Sequence, residues 1–155
     1  WATKRWPYYA ALARRLTLLG RVVILGSDAD SHLAQEIVAE TFGSAIDATG
    51  KLSLLASAAL IGRARVLVSN DSAPLHLASA MNTPTVALFG PTVTALGFGP
   101  LASARQVAEV PMLECRPCDA HGPRTCPLTH WRCMRDLTVA EVLDAVDAVR
   151  REGEA

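Results

Sequence analysis

Short apolar runs alternate along the chain with segments whose apolar residues recur at helical spacing. The apolar runs predict strands at residues 21–25, 46–48, 66–68, 85–88 and 106–110. Helical spacing or a start signal predicts helices after Trp6-Pro7, over residues 30–40, after Ser53, from Pro74 and after Thr138. Strands that alternate with helices are typical of an α/β fold with a parallel, doubly wound sheet.

The clearest single unit is the strand, helix and strand of residues 66–88. Pro74 is suited to the first turn of the helix, where its missing N–H costs nothing. Ligands of open α/β sheets bind at the carboxyl ends of the strands, against helix N-termini that carry about half a positive charge. Asp71, Ser72 and His76 fall at that place in the sequence. The pattern therefore predicts a site for a phosphorylated ligand.

Composition fits one compact domain and excludes some classes of partner. Half of the 155 residues are hydrophobic, which is enough for a sizeable core. Fifteen basic residues balance fifteen acidic ones, so no net field attracts nucleic acid. No run approaches the roughly 18 apolar residues of a membrane span. The chain starts at Trp1, without Met, and we expect it to be part of a longer protein.

Five motifs in order resemble the C-terminal half of the lipopolysaccharide heptosyltransferase family. They are Thr3-Lys4-Arg5-Trp6-Pro7, Gly26-Ser27-Asp28-Ala29-Asp30, Asn70-Asp71-Ser72-Ala73-Pro74-Leu75-His76-Leu77-Ala78, Phe89-Gly90-Pro91-Thr92 and Cys115-Arg116-Pro117-Cys118. The resemblance implies a Rossmann-like domain that forms the donor-binding half of a GT-B glycosyltransferase. Residues 1–155 would be that domain, which binds ADP-heptose, while the absent N-terminal half would hold the lipopolysaccharide core acceptor and the catalytic carboxylate.

The resemblance assigns the diphosphate to residues around the helix at Pro74. Lys4 would be the cation that stabilises the departing nucleotide, and Asp71, Ser72, Ala73 and His76 would form the ligand loop. Each has a plainer reading as well: a solvated lysine, helix capping by Asp71 or Ser72, and a partly buried histidine. Ala73 departs from the glycine that is common in the family, so the loop there needs less backbone freedom or shifts slightly.

The nucleoside would lie against two further positions. The resemblance assigns Asp30 to the ribose hydroxyls and Leu52 to the adenine. Asp30 also fits as the cap of the following helix, and Leu52 as an ordinary core residue. Asp28 and Asp30 match the Asp-x-Asp pattern of metal-dependent sugar transferases, but we assign no catalytic metal to these two residues.

Cys115, Cys118, Cys126 and Cys133 lie within 19 positions, in a stretch named here the cysteine segment (residues 115–134). Their spacing is compatible with a structural zinc site. Two disulfides, which are rare in the cytosol, and four free thiols are the alternatives.

We therefore expect an enzyme that, as a full-length protein, transfers heptose from ADP-heptose with inversion, and a fragment that is inactive alone. We expect the enzyme to be cytoplasmic. Peripheral contact of the full enzyme with the inner face of the inner membrane is an open alternative. Two alternatives stand: a GT-B transferase or epimerase that uses a UDP-sugar, and a non-enzymatic nucleotide-binding module.

Overall fold

Helices and strands alternate throughout the computed structural model, which describes residues 2–153. Their order is α1 (Tyr9–Leu16), β1 (Val23–Ile24), α2 (Ser31–Glu40), β2 (Ile46–Asp47), α3 (Leu54–Ile61), β3 (Leu67–Asn70), α4 (Ala73–Met81), β4 (Thr85–Leu88), β5 (Arg105–Ala108), α5 (Arg132–Arg135) and α6 (Val139–Gly153). The chain divides into two compact units. Tyr8–Ser57 form the β1–β2 unit, and the N-terminal residues to Pro7 join the chain from Ala58 onward as the β3–β5 unit.

The β1–β2 unit is a short parallel pair of strands with two helices. Val23 pairs with Ile46 and Ile24 with Asp47. Leu12 in α1 and Ala34 in α2 are buried, and the two helices pack against each other, while α2 also packs against β2.

The β3–β5 unit is built on a parallel three-stranded sheet with β4 at its centre. All four residues of β4 are buried, as expected for a central strand covered on both faces. Helix α4 packs against β3 and β4, where Leu75 joins Ala87 and Phe89 in the core.

Helix α6 covers β4 and β5 with one apolar stripe. Val142, Val146 and Val149 recur at i, i+4 and i+7, and all three are fully buried. The helix starts with the predicted capping box: the Thr138 amide donates to the Glu141 carboxylate at 2.7 Å, and the Glu141 amide donates back to Thr138 Oγ1.

The structure confirms the predicted fold class, an α/β fold whose parallel strands are flanked by helices. Several boundaries differ from the prediction. Strand β3 runs on through Ser69 and Asn70, because their backbones pair with β4 whatever their side chains are. Helix α1 ends at Leu16 rather than near Gly20, and Leu19 beyond it is 52 % exposed.

Candidate functional site

Polar side chains gather where β3 and β4 end. Asp71 follows β3 directly, and Thr92 lies four residues beyond the end of β4. Both are buried, and the carboxyl ends of neighbouring parallel strands lie on one edge of the sheet. This is the edge at which the sequence predicts a ligand.

A buried ion pair forms the centre of this cluster. Lys4 Nζ lies 2.6 Å from Asp71 Oδ2, and the two side chains are 14 % and 5 % exposed. Thr92 Oγ1 donates a second hydrogen bond to the same carboxylate oxygen at 2.8 Å. Lys4 is therefore held in one position by Asp71. The alternative that it is simply a solvated lysine in a loop is wrong.

The turn that carries Lys4 is anchored on both sides. Thr3 Oγ1 donates to the carbonyl of Pro123, and the Trp6 amide donates to Asn70 Oδ1 at 3.2 Å. The Trp6 indole is 1 % exposed and donates to the carbonyl of Leu137 at 2.8 Å. These bonds fix Lys4 beside β3, although it is 67 residues from Asp71 in the sequence.

Helix α4 begins without a side-chain cap. Ser72 is the N-cap residue, but its hydroxyl bonds to the Asn70 carbonyl at 3.2 Å rather than to the helix. The Asp71 carboxylate is engaged by Lys4 and Thr92, so the capping alternative is wrong for both side chains. Ala73 is the first helical residue and is not among those with positive φ, so the backbone there does not require a glycine.

His76 is exposed on α4, which excludes the partly buried alternative. Its ring edge meets Phe98, with 6.4 Å between ring centroids, and Phe98 meets His121 at 5.8 Å. A Cβ on Gly122 would lie 3.1 Å from Cε of Lys4, so the His121 turn passes beside the ion pair. The sequence did not single out Phe98 or His121, since neither belongs to a recognisable pattern.

The two predicted nucleoside positions, Asp30 and Leu52, both belong to the β1–β2 unit. The loops after β1 and β2 are joined by a hydrogen bond of 3.0 Å from the Gly50 amide to the Gly26 carbonyl. Asp30 Oδ2 accepts bonds from the Ser27 amide at 2.9 Å and the Ser27 hydroxyl at 2.6 Å, so it does shape the turn. Leu52 is 37 % exposed and is not a core residue. The assignments to ribose and adenine stay predictions.

The four cysteines converge as free thiols in the β3–β5 unit. Cys118, Cys126 and Cys133 line one small cavity with Trp131 and Pro91. Cys115 contributes its carbonyl to the Cys118 thiol at 3.1 Å, and its own sulfur lies 3.9 Å from His130 Nε2. Within residues 2–153, no three His, Cys, Asp or Glu side chains are already grouped closely enough to hold a metal ion.

The thiols differ in acidity. Burial, followed by the neighbouring Cys118, raises the pKa of Cys133 to about 11. Burial, with Cys115 nearby, also raises the pKa of Cys118. Burial opposes ionisation of Cys126 too, but backbone amides of residues 128–131 that bond to its sulfur outweigh it and lower its pKa.

Two residues of the quoted motifs have contacts that the motifs did not predict. Thr92 bonds to Asp71, and Arg116 donates to the carbonyl of Thr92 at 2.9 Å. Both residues belong to motifs on which the family resemblance rests. That membership was the one clue to them that the sequence offered. In the described part of the chain, no helix has the length and apolar character needed to cross a membrane.

Comparison with known proteins gives matches over most of the chain. Residues 1–131 match the model of glycosyltransferase family 9, described as heptosyltransferase. Lipopolysaccharide heptosyltransferase 2 of Escherichia coli K12 is 38 % identical over 96 residues, which are 57 % of this chain and 28 % of that protein. Lipooligosaccharide heptosyltransferase 2 of a Campylobacter jejuni serotype O:6 strain is 28 % identical over 151 residues, 94 % of this chain and 46 % of that protein.

Solved structures show the same similarity. ADP-heptose lps heptosyltransferase II of E. coli superposes with a TM-score of 0.78 at 30 % identity, over 99 % of this chain and 44 % of that one. A family 9 glycosyl transferase from Veillonella parvula gives 0.78 at 26 % identity, over 97 % and 43 %. The chain thus spans less than half the length of each of these relatives.

Proposed function

The chain belongs to glycosyltransferase family 9, the heptosyltransferase family, and we propose that it is the donor-binding half of an enzyme that transfers heptose from ADP-heptose to a lipopolysaccharide core acceptor. The observation that carries the proposal is the Lys4–Asp71 ion pair beside the uncapped start of α4. The acceptor site and the catalytic carboxylate would lie in a preceding half, and the full enzyme would work in the cytoplasm.

The diphosphate would lie between Lys4, His76 and the first turn of α4. An ammonium group has three N–H donors, and Asp71 accepts one of them, which orients the other two. Because Asp71 compensates the charge of Lys4, these oriented donors matter more than net charge. The start of α4 adds a field worth about 0.3–2 kcal/mol to an anion. These groups would hold a diphosphate without a catalytic metal.

The same groups would act in the reaction. When the glycosidic bond breaks, negative charge grows on the diphosphate that leaves. Donors that are already in place lower the barrier, because they need no reorganisation at that moment. The rings of exposed His76 and His121 and of half-buried Phe98 lie beside this position, and we place the transferred sugar against them. Asp30 and Leu52 would contact ribose and adenine.

The test is heptose transfer by the full-length enzyme. With ADP-heptose as donor, Lys4→Ala should lower kcat more than it raises KM, because the lost donor acts mainly in the transition state. Arg5→Ala, which removes the exposed neighbouring cation, is the matched control and should change little. Transfer from a UDP-sugar instead would favour the other GT-B reading, and an intact fold that binds no nucleotide would favour the interaction module.

For the cysteine segment we propose a structural zinc ion bound by at least three of Cys115, Cys118, Cys126 and Cys133. Their spacing and the three thiols around one cavity support it. Binding would draw the thiols to the zinc–sulfur distance of about 2.3 Å. Elemental analysis of protein purified without chelator should give one zinc per chain. Little metal, with four titratable thiols or two disulfides, would rule the site out.

A further inference from the structure

Arg116 connects the cysteine segment to the loops around the ion pair. Its side chain is only 6 % exposed. Nη1 donates to the carbonyl of Val110 at 3.0 Å, and Nη2 donates to the carbonyl of Thr92 at 2.9 Å and to Glu109 Oε2 at 2.6 Å. The guanidinium therefore fixes the ends of two segments, one after β4 and one after β5.

Thr92 transmits this contact to the candidate site. Its carbonyl accepts from Arg116, while its hydroxyl donates to Asp71, and Asp71 in turn holds Lys4. A displaced Thr92 would leave a buried carboxylate oxygen short of one donor. Glu109, Arg116, Thr92, Asp71 and Lys4 form one continuous chain of short polar contacts.

The cysteine segment meets the same region at three more points. The Cys118 amide donates to the carbonyl of Pro91 at 2.9 Å, directly before Thr92. The Pro123 carbonyl accepts from Thr3, and Gly122 lies against the Lys4 side chain. The segment therefore bounds the Lys4 turn and the Thr92 loop together.

The chemistry of Arg116 is not that of a space-filling side chain. Its Nε is buried without a hydrogen-bond partner, which is unfavourable for a charged group. An apolar residue would fill the space without that cost, but it would not tie two carbonyls and a carboxylate together. The planar fork of arginine does so in a fixed geometry that lysine does not reproduce.

We infer that Arg116 is a positioning residue of the diphosphate site, which acts through Thr92 on Asp71 and Lys4. This inference rests on the proposed function, since it concerns the same site. It assigns the cysteine segment a role in nucleotide binding besides any structural one.

The experiment compares ADP with adenosine in calorimetric titrations of the chain. Arg116→Lys should weaken ADP about tenfold and adenosine less than about twofold, because only ADP carries phosphates. The Glu109→Gln variant keeps an acceptor for Arg116, so its ADP affinity should lie between those of Arg116→Lys and wild type. Arg132→Lys is the matched control: the same change in the same segment, at an exposed pair with Asp136, should leave both ligands unaffected.

Equal losses for ADP and adenosine, or the same loss in Arg132→Lys, would overturn the inference. If the wild-type chain binds no ADP, the proposed function fails, and a second measurement decides the contact network. The hydrogen bonds that connect Arg116 with Lys4 run through Thr92 and Asp71, so this coupling should make Arg116→Lys and Lys4→Met non-additive in urea unfolding. Additive effects would overturn the inference independently of ligand binding.

Discussion

The buried ion pair makes a prediction about stability that needs no ligand. Lys4 and Asp71 are 14 % and 5 % exposed and 2.6 Å apart. Removing one partner of a buried pair leaves an uncompensated charge and typically costs about 3–5 kcal/mol. Thr92 still donates to Asp71 when Lys4 is lost, so we expect the lower end, about 3 kcal/mol, for Lys4→Met and for Asp71→Asn.

The double variant separates pairing from packing. Neither charge remains in it, so the penalty for an uncompensated buried charge is absent. Its free energy of unfolding should fall by less than the ~3 kcal/mol of either single variant, rather than by about 6 kcal/mol, which is a coupling of more than about 3 kcal/mol. Urea unfolding followed by circular dichroism gives all four values. The exposed Arg14–Glu40 pair, at 59 % and 46 % exposure, is the control and should couple by less than about 1 kcal/mol. Single-variant losses under about 0.5 kcal/mol that add in the double variant would refute the reasoning.

Three smaller predictions concern the β3–β5 unit. Thr138→Ala removes the α6 cap and should cost about 1 kcal/mol at neutral pH, measured by urea unfolding. The Thr138 hydrogen bonds lower the pKa of Glu141, so this cost should shrink as pH falls through that lowered pKa, and a cost that is unchanged in acid would contradict it. Gly122→Ala should cost about 1–2 kcal/mol in unfolding, because φ is +80° and the new Cβ meets Lys4, whereas unchanged stability would contradict this. Phe98→Ala should weaken binding of ADP-heptose but not of ADP. Equal effects on the two ligands would show that the sugar does not contact the Phe98 ring.

The sequence predicted most elements because their signals are local. The apolar run at β4, the capping box at α6 and the helix after Ser53, whose hydroxyl accepts from the Ala56 amide, all depend on neighbours within a few residues. Boundaries such as that of β3 depended on backbone pairing with another strand, to which its own side chains give no clue.

The site was predicted as a set of residues but not as a network. Spacing and resemblance predicted Lys4, Asp71 and His76 as site residues, yet they did not predict an ion pair between positions 67 residues apart. Arg116 received no role, since a single arginine between two cysteines is not informative until the fold brings it to Thr92. Contacts of this kind arise from tertiary packing, which periodicity does not encode.

Binding of ADP by the chain tests the central claim most directly. Calorimetric titration of ADP and adenosine would be run with magnesium and in magnesium-free buffer without a chelator, so that the proposed zinc site is not disturbed. We expect equal ADP affinity in both buffers. We also expect Lys4→Ala and His76→Ala each to weaken ADP binding about tenfold, with adenosine binding changed less than about twofold. A strict magnesium requirement, or equal losses for ADP and adenosine, would contradict it.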